Sequence, residues 1–339
     1  MIAYTVDVTI FIVSIPSAYV YLAYLRTLRK YRTTSPFDGS FFKILFHIGC
    51  FDLMMLVERQ LLNRFPKHGW LAFDHLVMTS PRFFAKLHII LFWYLIKPQV
   101  LGTLLLTVNR YFSIVHNHNW SKTETRMFAA AVWLMPLPFS VPLWFQNFYF
   151  TRNGTDNGVL LFYEDKQFQF YYLAVCFVQC VILVVIGVYC YLLIFYKIWK
   201  HQHEVDPSVK RYSQKNSGDT NALFIGVVLT VLTVECAVAC GYMAYSTDAE
   251  SLKAALPWFD LGTELYTWIN PYCLLITCKK FRRRFWPTLL GRSFEEKKPP
   301  ASRVHQKAAN NMTKISMALQ QVGQLARAPV TIQVQHCDS

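Results

Sequence analysis

Residues Phe170–Tyr196 read FYYLAVCFVQCVILVVIGVYCYLLIFY, an apolar run without one charged side chain. As an α-helix, rising about 1.5 Å per residue, it reaches about 40 Å, more than the hydrocarbon core of a bilayer requires. It is apolar on every face, so it needs either a deep protein core or lipid around it. Six further stretches of similar character occur, at Tyr4–Leu25, Phe42–Leu62, His88–Phe112, Met127–Phe148, Ala222–Tyr245 and Leu256–Cys278. The second and third are the least pure, because they enclose Asp52, Glu58, Arg59 and Lys97. The 339 residues therefore read as an all-α membrane protein: a seven-transmembrane-helix bundle over 1–290, then a mobile cytoplasmic tail over 291–339.

Composition supports this. Only 16% of residues are charged and 54% are hydrophobic, whereas soluble domains carry about 25% charged residues. That excludes a disordered chain and an ordinary soluble domain. The net charge of +14 invites a nucleic-acid partner. However, the basic residues sit in short loops and the tail rather than on one face of a soluble module, so no nucleic acid is expected. Of nine cysteines, Cys50, Cys176, Cys180, Cys190, Cys236, Cys240 and Cys273 fall inside apolar runs, and none forms a C-x-x-C pair. Neither a disulfide framework nor a zinc site has support. His116 and His118, like His201 and His203, are two apart, a spacing that does not share a helix face. Neither a metal nor another cofactor is expected, and no catalytic motif marks an enzyme.

Loop charge sets the expected direction. Arg26, Arg29, Lys30, Arg32 and Lys43 follow the first span, Arg110, Lys122 and Arg126 the third, and Lys197, Lys200, Lys210, Arg211 and Lys215 the fifth. Lys and Arg are retained in the cytoplasm, so the N-terminus is expected outside and the C-terminus inside. The sequon Asn153-Gly154-Thr155 then faces outward, where glycosylation is possible. The first run is too long for a cleaved signal peptide and is expected to act as its own insertion signal.

Intramembrane ionisable residues are costly, and each is a functional candidate. Lys97 lies thirteen residues before Arg110, Glu235 thirteen residues into the sixth span, and Glu264 fourteen residues before Cys278. At 1.5 Å per residue all three fall about 20 Å from the cytoplasmic end, so Lys97 is expected to pair with Glu235 or Glu264. Asp260, four residues before Glu264, shares its helix face. Two readings stay open for this set. One is a structural ion pair locking the third, sixth and seventh helices. The other is a ligand pocket formed with Tyr242, Trp258 and Tyr266. Asp52, near the middle of the second span, reads as an intramembrane polar hub. After the seventh span, Phe281, Phe285 and Leu289 form a four-spaced apolar stripe among Lys279, Lys280, Arg282, Arg283 and Arg284. This predicts a short interfacial helix over about 279–290 on the anionic inner leaflet, which Pro287 tends to shorten.

Several short motifs, in order, carry a resemblance. They are Ser14-Ile15-Pro16-Ser17, Ser35-Pro36-Phe37, Ser40-Phe41-Phe42-Lys43, Leu106-Thr107-Val108-Asn109-Arg110-Tyr111-Phe112 and Asn270-Pro271-Tyr272-Cys273-Leu274-Leu275-Ile276. With seven spans, they resemble G-protein-coupled receptors, and more narrowly the nematode serpentine chemoreceptors of the gamma superfamily, gamma or V class, over Val13 to Phe285. The resemblance implies a chemosensory receptor in the plasma membrane, with the sensory cilium as the finer expectation. It further implies a small-molecule ligand outside and a heterotrimeric G protein inside. Asn109, Arg110, Tyr111, Asn270 and Pro271 match the switch and coupling motifs of rhodopsin-like receptors. The chain departs from that pattern at Asn109, where an acid is usual, and at Leu274, where a tyrosine is usual. It also has no Trp-x-Pro in the sixth span, no proline in the fifth, and no cysteine over Phe150–Phe168 for the third-span disulfide. A transporter or channel lined by Lys97, Asp52, Glu235 and Glu264 is the rival reading, without the internal repeat that many transporters show.

Overall fold

The computed structural model describes residues 2–34, 37–152, 159–204, 217–245 and 249–291. Its long helices are α1 (Ile2–Tyr31), α2 (Ser40–Glu58), α3 (Pro81–Val115), α4 (Lys122–Leu134), α5 (Lys166–Glu204), α6 (Ser217–Tyr245) and α7 (Ala249–Thr277), with the shorter α8 (Lys279–Leu289) after them. By length and composition, α1, α2 with its extension, α3, α4 with its continuation, α5 and α6 qualify as membrane spans. The seventh, α7, is as long as α6 but carries Asp260 and Glu264. The expected tail after 291 lies outside the described residues, as does Asn153.

Local chemistry explains where these helices begin and break. At the start of α4, Ser121 Oγ accepts from the Glu124 amide at 3.2 Å and Glu124 Oε2 accepts from the Ser121 amide at 2.6 Å. This reciprocal capping box satisfies two orphan donors. Pro136 has no N–H to offer Val132, so α4 breaks at Met135 and continues as a separate helix over Pro136–Trp144. Pro16 and Pro98 sit inside α1 and α3, which run through them.

Two expectations need correction here. The fourth span does not reach Phe148. The chain turns after Trp144 into strand β1 (Phe148–Arg152), which pairs antiparallel with β2 (Val159–Tyr163), Phe148 opposite Tyr163. An all-α description therefore omits one hairpin. Its alternation turns Phe148 and Phe150 into the core, where α3 and the hairpin pack together. The C-terminal segment also differs. Its stripe does not face lipid: Phe281 and Phe285 are wholly buried, with Phe281 against Tyr24 and Phe37 and Phe285 against Phe281. Tyr19 donates to the Leu289 carbonyl at 2.9 Å, and α8 continues past Pro287. Lys279, Lys280, Arg282 and Arg283 remain on its exposed face.

The bundle is apolar outside as well as inside. Along α5, Val175, Val178, Ile182, Val185, Tyr189 and Leu192 recur every three or four residues and are all exposed, Leu192 by 63%. The opposite face buries Cys176, Cys180, Cys190 and Ile194. In water the exposed stripe would be an aggregation surface; in hydrocarbon it is the solvated face. Within the bundle α5 packs on α3 and α6, α6 on α7, and α2 on α1 and α3.

Candidate functional site

The polar side chains inside the bundle fall into three groups. The first surrounds Asp52, which is fully buried. Its Oδ2 accepts from Tyr21 on α1 at 2.9 Å and from Asn270 Nδ2 on α7 at 2.7 Å. The same Tyr21 hydroxyl also contacts the Thr267 carbonyl, so its one proton is shared between two acceptors. Gln99 Nε2 reaches Thr267 Oγ1 at 3.5 Å, and Tyr266 shares a 2.6 Å hydrogen bond with Thr103. On α5, Tyr191 joins Thr107 at 2.8 Å. Buried hydrogen bonds thus run from α1 through α2, α7 and α3 to α5. The structure places Asp52, the expected hub, among these groups, with Asn270 as one of its partners.

The second group surrounds Lys97, and here the expected pairing is wrong. Lys97 Nζ donates to Gln179 Oε1 at 2.6 Å and to Cys176 Sγ at 3.3 Å, both on α5. The ammonium also lies over the rings of Trp93 and Phe139, at 5.6 and 5.3 Å from their centroids. Among the described residues it meets no carboxylate. Equal depth on two helices does not make two residues neighbours, because the direction around each axis also counts. The Lys97 side of α3 faces α5, and α3 packs only lightly on α6. Glu235 is half-buried beside Cys236 Sγ, at 3.7 Å. Its carboxylate occupies the space a side chain on Gly262 of α7 would need, with Oε2 1.6 Å from that Cβ position.

The third group holds Glu264 and Asp260, at the end of the bundle where the chain begins. Past Glu58, α2 continues as a π-helical turn over Arg59–Arg64. At 3.6 residues per turn, positions five apart point about 140° away from each other. The wider i→i+5 turn brings Arg59 and Arg64 toward one face. Arg59 pairs with Asp260, with Nε 3.4 Å from Glu264; Arg64 Nη2 is 2.7 Å from the same carboxylate. Asp7 completes the set through Lys67 and His68, at 2.7 and 2.9 Å. Three acids (Asp7, Asp260, Glu264) meet three cations (Arg59, Arg64, Lys67), with His68 bonded to Asp7 beside them. Glu58 is bonded to His88 alongside. Arg64, Asp7, Lys67, His68, Glu58 and His88 were not foreseen as a site. Their signals were the charges Glu58 and Arg59 in a nominally apolar run and Asp7 inside the first one.

The switch candidates lie toward the other end of α3. The Arg110 guanidinium sits 4.0 Å from the Phe41 ring centroid, and Asn109 Nδ2 donates to Ser40 Oγ at 2.9 Å. Two separate sequence motifs thus meet in space. Tyr111 bonds His116 at 3.1 Å. Pro271 is buried within α7. Of the proposed pocket residues, Tyr266 is buried, whereas Tyr242 and Trp258 are 48% and 70% exposed on the bundle exterior. The structure does not bring those two to Lys97. Above Lys97, the Trp93 indole N–H reaches Tyr163 of β2 at 3.5 Å, and burial pushes the Tyr163 phenol above its ordinary value.

This arrangement defines a rhodopsin-like seven-helix membrane bundle. The crystal structure of squid rhodopsin superposes on it with a TM-score of 0.65, covering 87% of this chain and 89% of that one at 14% identity. The chain belongs to the family described as serpentine type 7TM GPCR chemoreceptor Srv, whose model matches residues 8–290. The Caenorhabditis elegans protein "Serpentine receptor class V-1" is 23% identical over 211 residues, 59% of this chain and 66% of that relative. Of the gamma and V classes that the motifs left open, both matches name V.

Proposed function

We propose that this chain is a chemosensory receptor of the plasma membrane that binds a small molecule from outside and activates a heterotrimeric G protein within. The observation that carries it is the buried hydrogen-bond run Tyr21–Asp52–Asn270 and Tyr266–Thr103, extended by Thr107–Tyr191, which joins five helices across the bundle. A bundle stitched this way has discrete packings, and a ligand that favours one of them shifts the population. In this reading the N-terminus and the hairpin face outside, and the C-terminus and α8 face the cytoplasm. The G protein docks near Arg110, Lys197, Lys200 and the basic face of α8. A transporter path is less favoured, because Glu264 and Asp260 are occupied by Arg59 and Arg64. The test expresses the receptor with G-protein heterotrimers and compares wild type with Arg110→Ala. Loss of signalling at unchanged surface level supports the proposal; parallel loss of both assigns Arg110 to folding instead. A fluorescent C-terminal fusion in the source animal tests the finer expectation of a sensory cilium.

A further inference from the structure

We propose that the seam between α3 and α5 at Lys97 receives the anionic end of a small organic ligand, a carboxylate or similar oxyanion with an apolar body. The proposal rests on the receptor reading above and names the chemistry of its ligand. Lys97 is 7% exposed in the middle of a membrane-spanning helix. A cation there is costly unless a counter-charge offsets it. Its partners are neutral: an amide oxygen, a thiol and two ring faces. These orient an ammonium but do not cancel its charge.

The acids on the helices packed around it are engaged elsewhere. Asp52 on α2 holds Tyr21 and Asn270, and Glu58 at its end holds His88. On α7, Asp260 and Glu264 hold Arg59 and Arg64. From Gln167 to His203, α5 has no acid at all. Glu235 on α6 is turned onto Gly262 of α7. Among the described residues no acid is left to neutralise Lys97, which points to a counter-charge from outside the chain. The walls suit an apolar body: Trp93 packs edge-on against Tyr172, whose ring stacks on Phe168. One turn further along, Val100, Leu104 and Leu183 together with Thr103, Thr230 and Thr233 line a cavity of about 10 Å³, room for a single water. A ligand therefore has to part α3 from α5, and this opening is how its binding energy reaches the rest of the bundle.

The full-length receptor in lipid nanodiscs gives the test. Its thermal midpoint is measured with benzoate, phenylacetate and hexanoate, each beside the matching alcohol and amine. The expected result is a rise with at least one acid that its alcohol and amine do not reproduce. Lys97→Met should abolish that rise while its own ligand-free midpoint stays level or increases, since a buried charge has been removed. Two results overturn the proposal. One is a response to no acid, or an equal response to acid, alcohol and amine. The other is a lowered midpoint in Lys97→Met that Glu235→Gln restores, which would make Glu235 the internal counter-charge. The receptor reading survives either failure if G-protein activation still depends on Arg110.

Discussion

Replacing Asp52 by leucine removes an acceptor shared by Tyr21 and Asn270, and leaves the Asn270 amide buried without it. A buried polar group so orphaned costs about 1–3 kcal/mol. The expected outcome is a lower thermal midpoint for Asp52→Leu and a smaller loss for Asp52→Asn, which keeps an acceptor oxygen. Gly226 makes a second residue-scale prediction. A Cβ there would lie 1.4 Å from the Tyr191 hydroxyl, the group that bonds Thr107. Gly226→Ala should lower both stability and signalling, and Tyr191→Leu in that background, which also removes the ring Cζ 2.2 Å from the new Cβ, should recover part of the stability. At this scale the sequence shows which polar residues enter the bundle better than whom they touch. Asp52 and Asn270 were both legible, the first as a lone acid in an apolar run and the second from its motif. Lys97 was legible as costly, but its partner Gln179 was not. Depth follows from counting along a helix, whereas azimuth follows from how helices pack.

The π-helical turn is the element that hid most from the sequence. Nothing in Arg59-Gln60-Leu61-Leu62-Asn63-Arg64 announces an extra residue per turn, yet that turn draws both arginines toward Glu264. Breaking a buried pair by removing one partner costs about 3–5 kcal/mol. Arg59→Met is therefore expected to lower the unfolding midpoint strongly, and Asp260→Asn added to it should recover part of the loss. An unchanged midpoint in the single variant would contradict a structural role for the pair. The helices themselves were plain from apolar length; their ends were not, because capping and proline geometry set them. The hairpin is hard to read from the sequence because its first aromatic alternation, Phe148 to Phe150, adjoins an apolar run. In α8 the four-residue stripe was legible, and its burial was not. Phe281→Ala should free α8 from Tyr24 and Phe37, seen as faster hydrogen exchange across Lys279–Leu289.

For the whole molecule, family membership and the rhodopsin-like fold agree with what apolar length alone suggested. The proposed ligand seat and coupling surface depend on helix contacts that no single span reveals. Direction in the membrane is open to a simple check: Asn153→Gln should remove a glycan-dependent mobility shift, and Asn119→Gln, in the sequon Asn119-Trp120-Ser121 on the expected inner side, should leave it in place. The decisive measurement is nucleotide exchange on purified heterotrimers by the full-length receptor reconstituted in vesicles, wild type beside Arg110→Ala. The expected result is exchange above the receptor-free rate on at least one heterotrimer class, lost in Arg110→Ala at equal folded receptor. Exchange at the receptor-free rate on every class, with an ion or solute flux through the same vesicles, would contradict signalling and make the chain a transporter or channel.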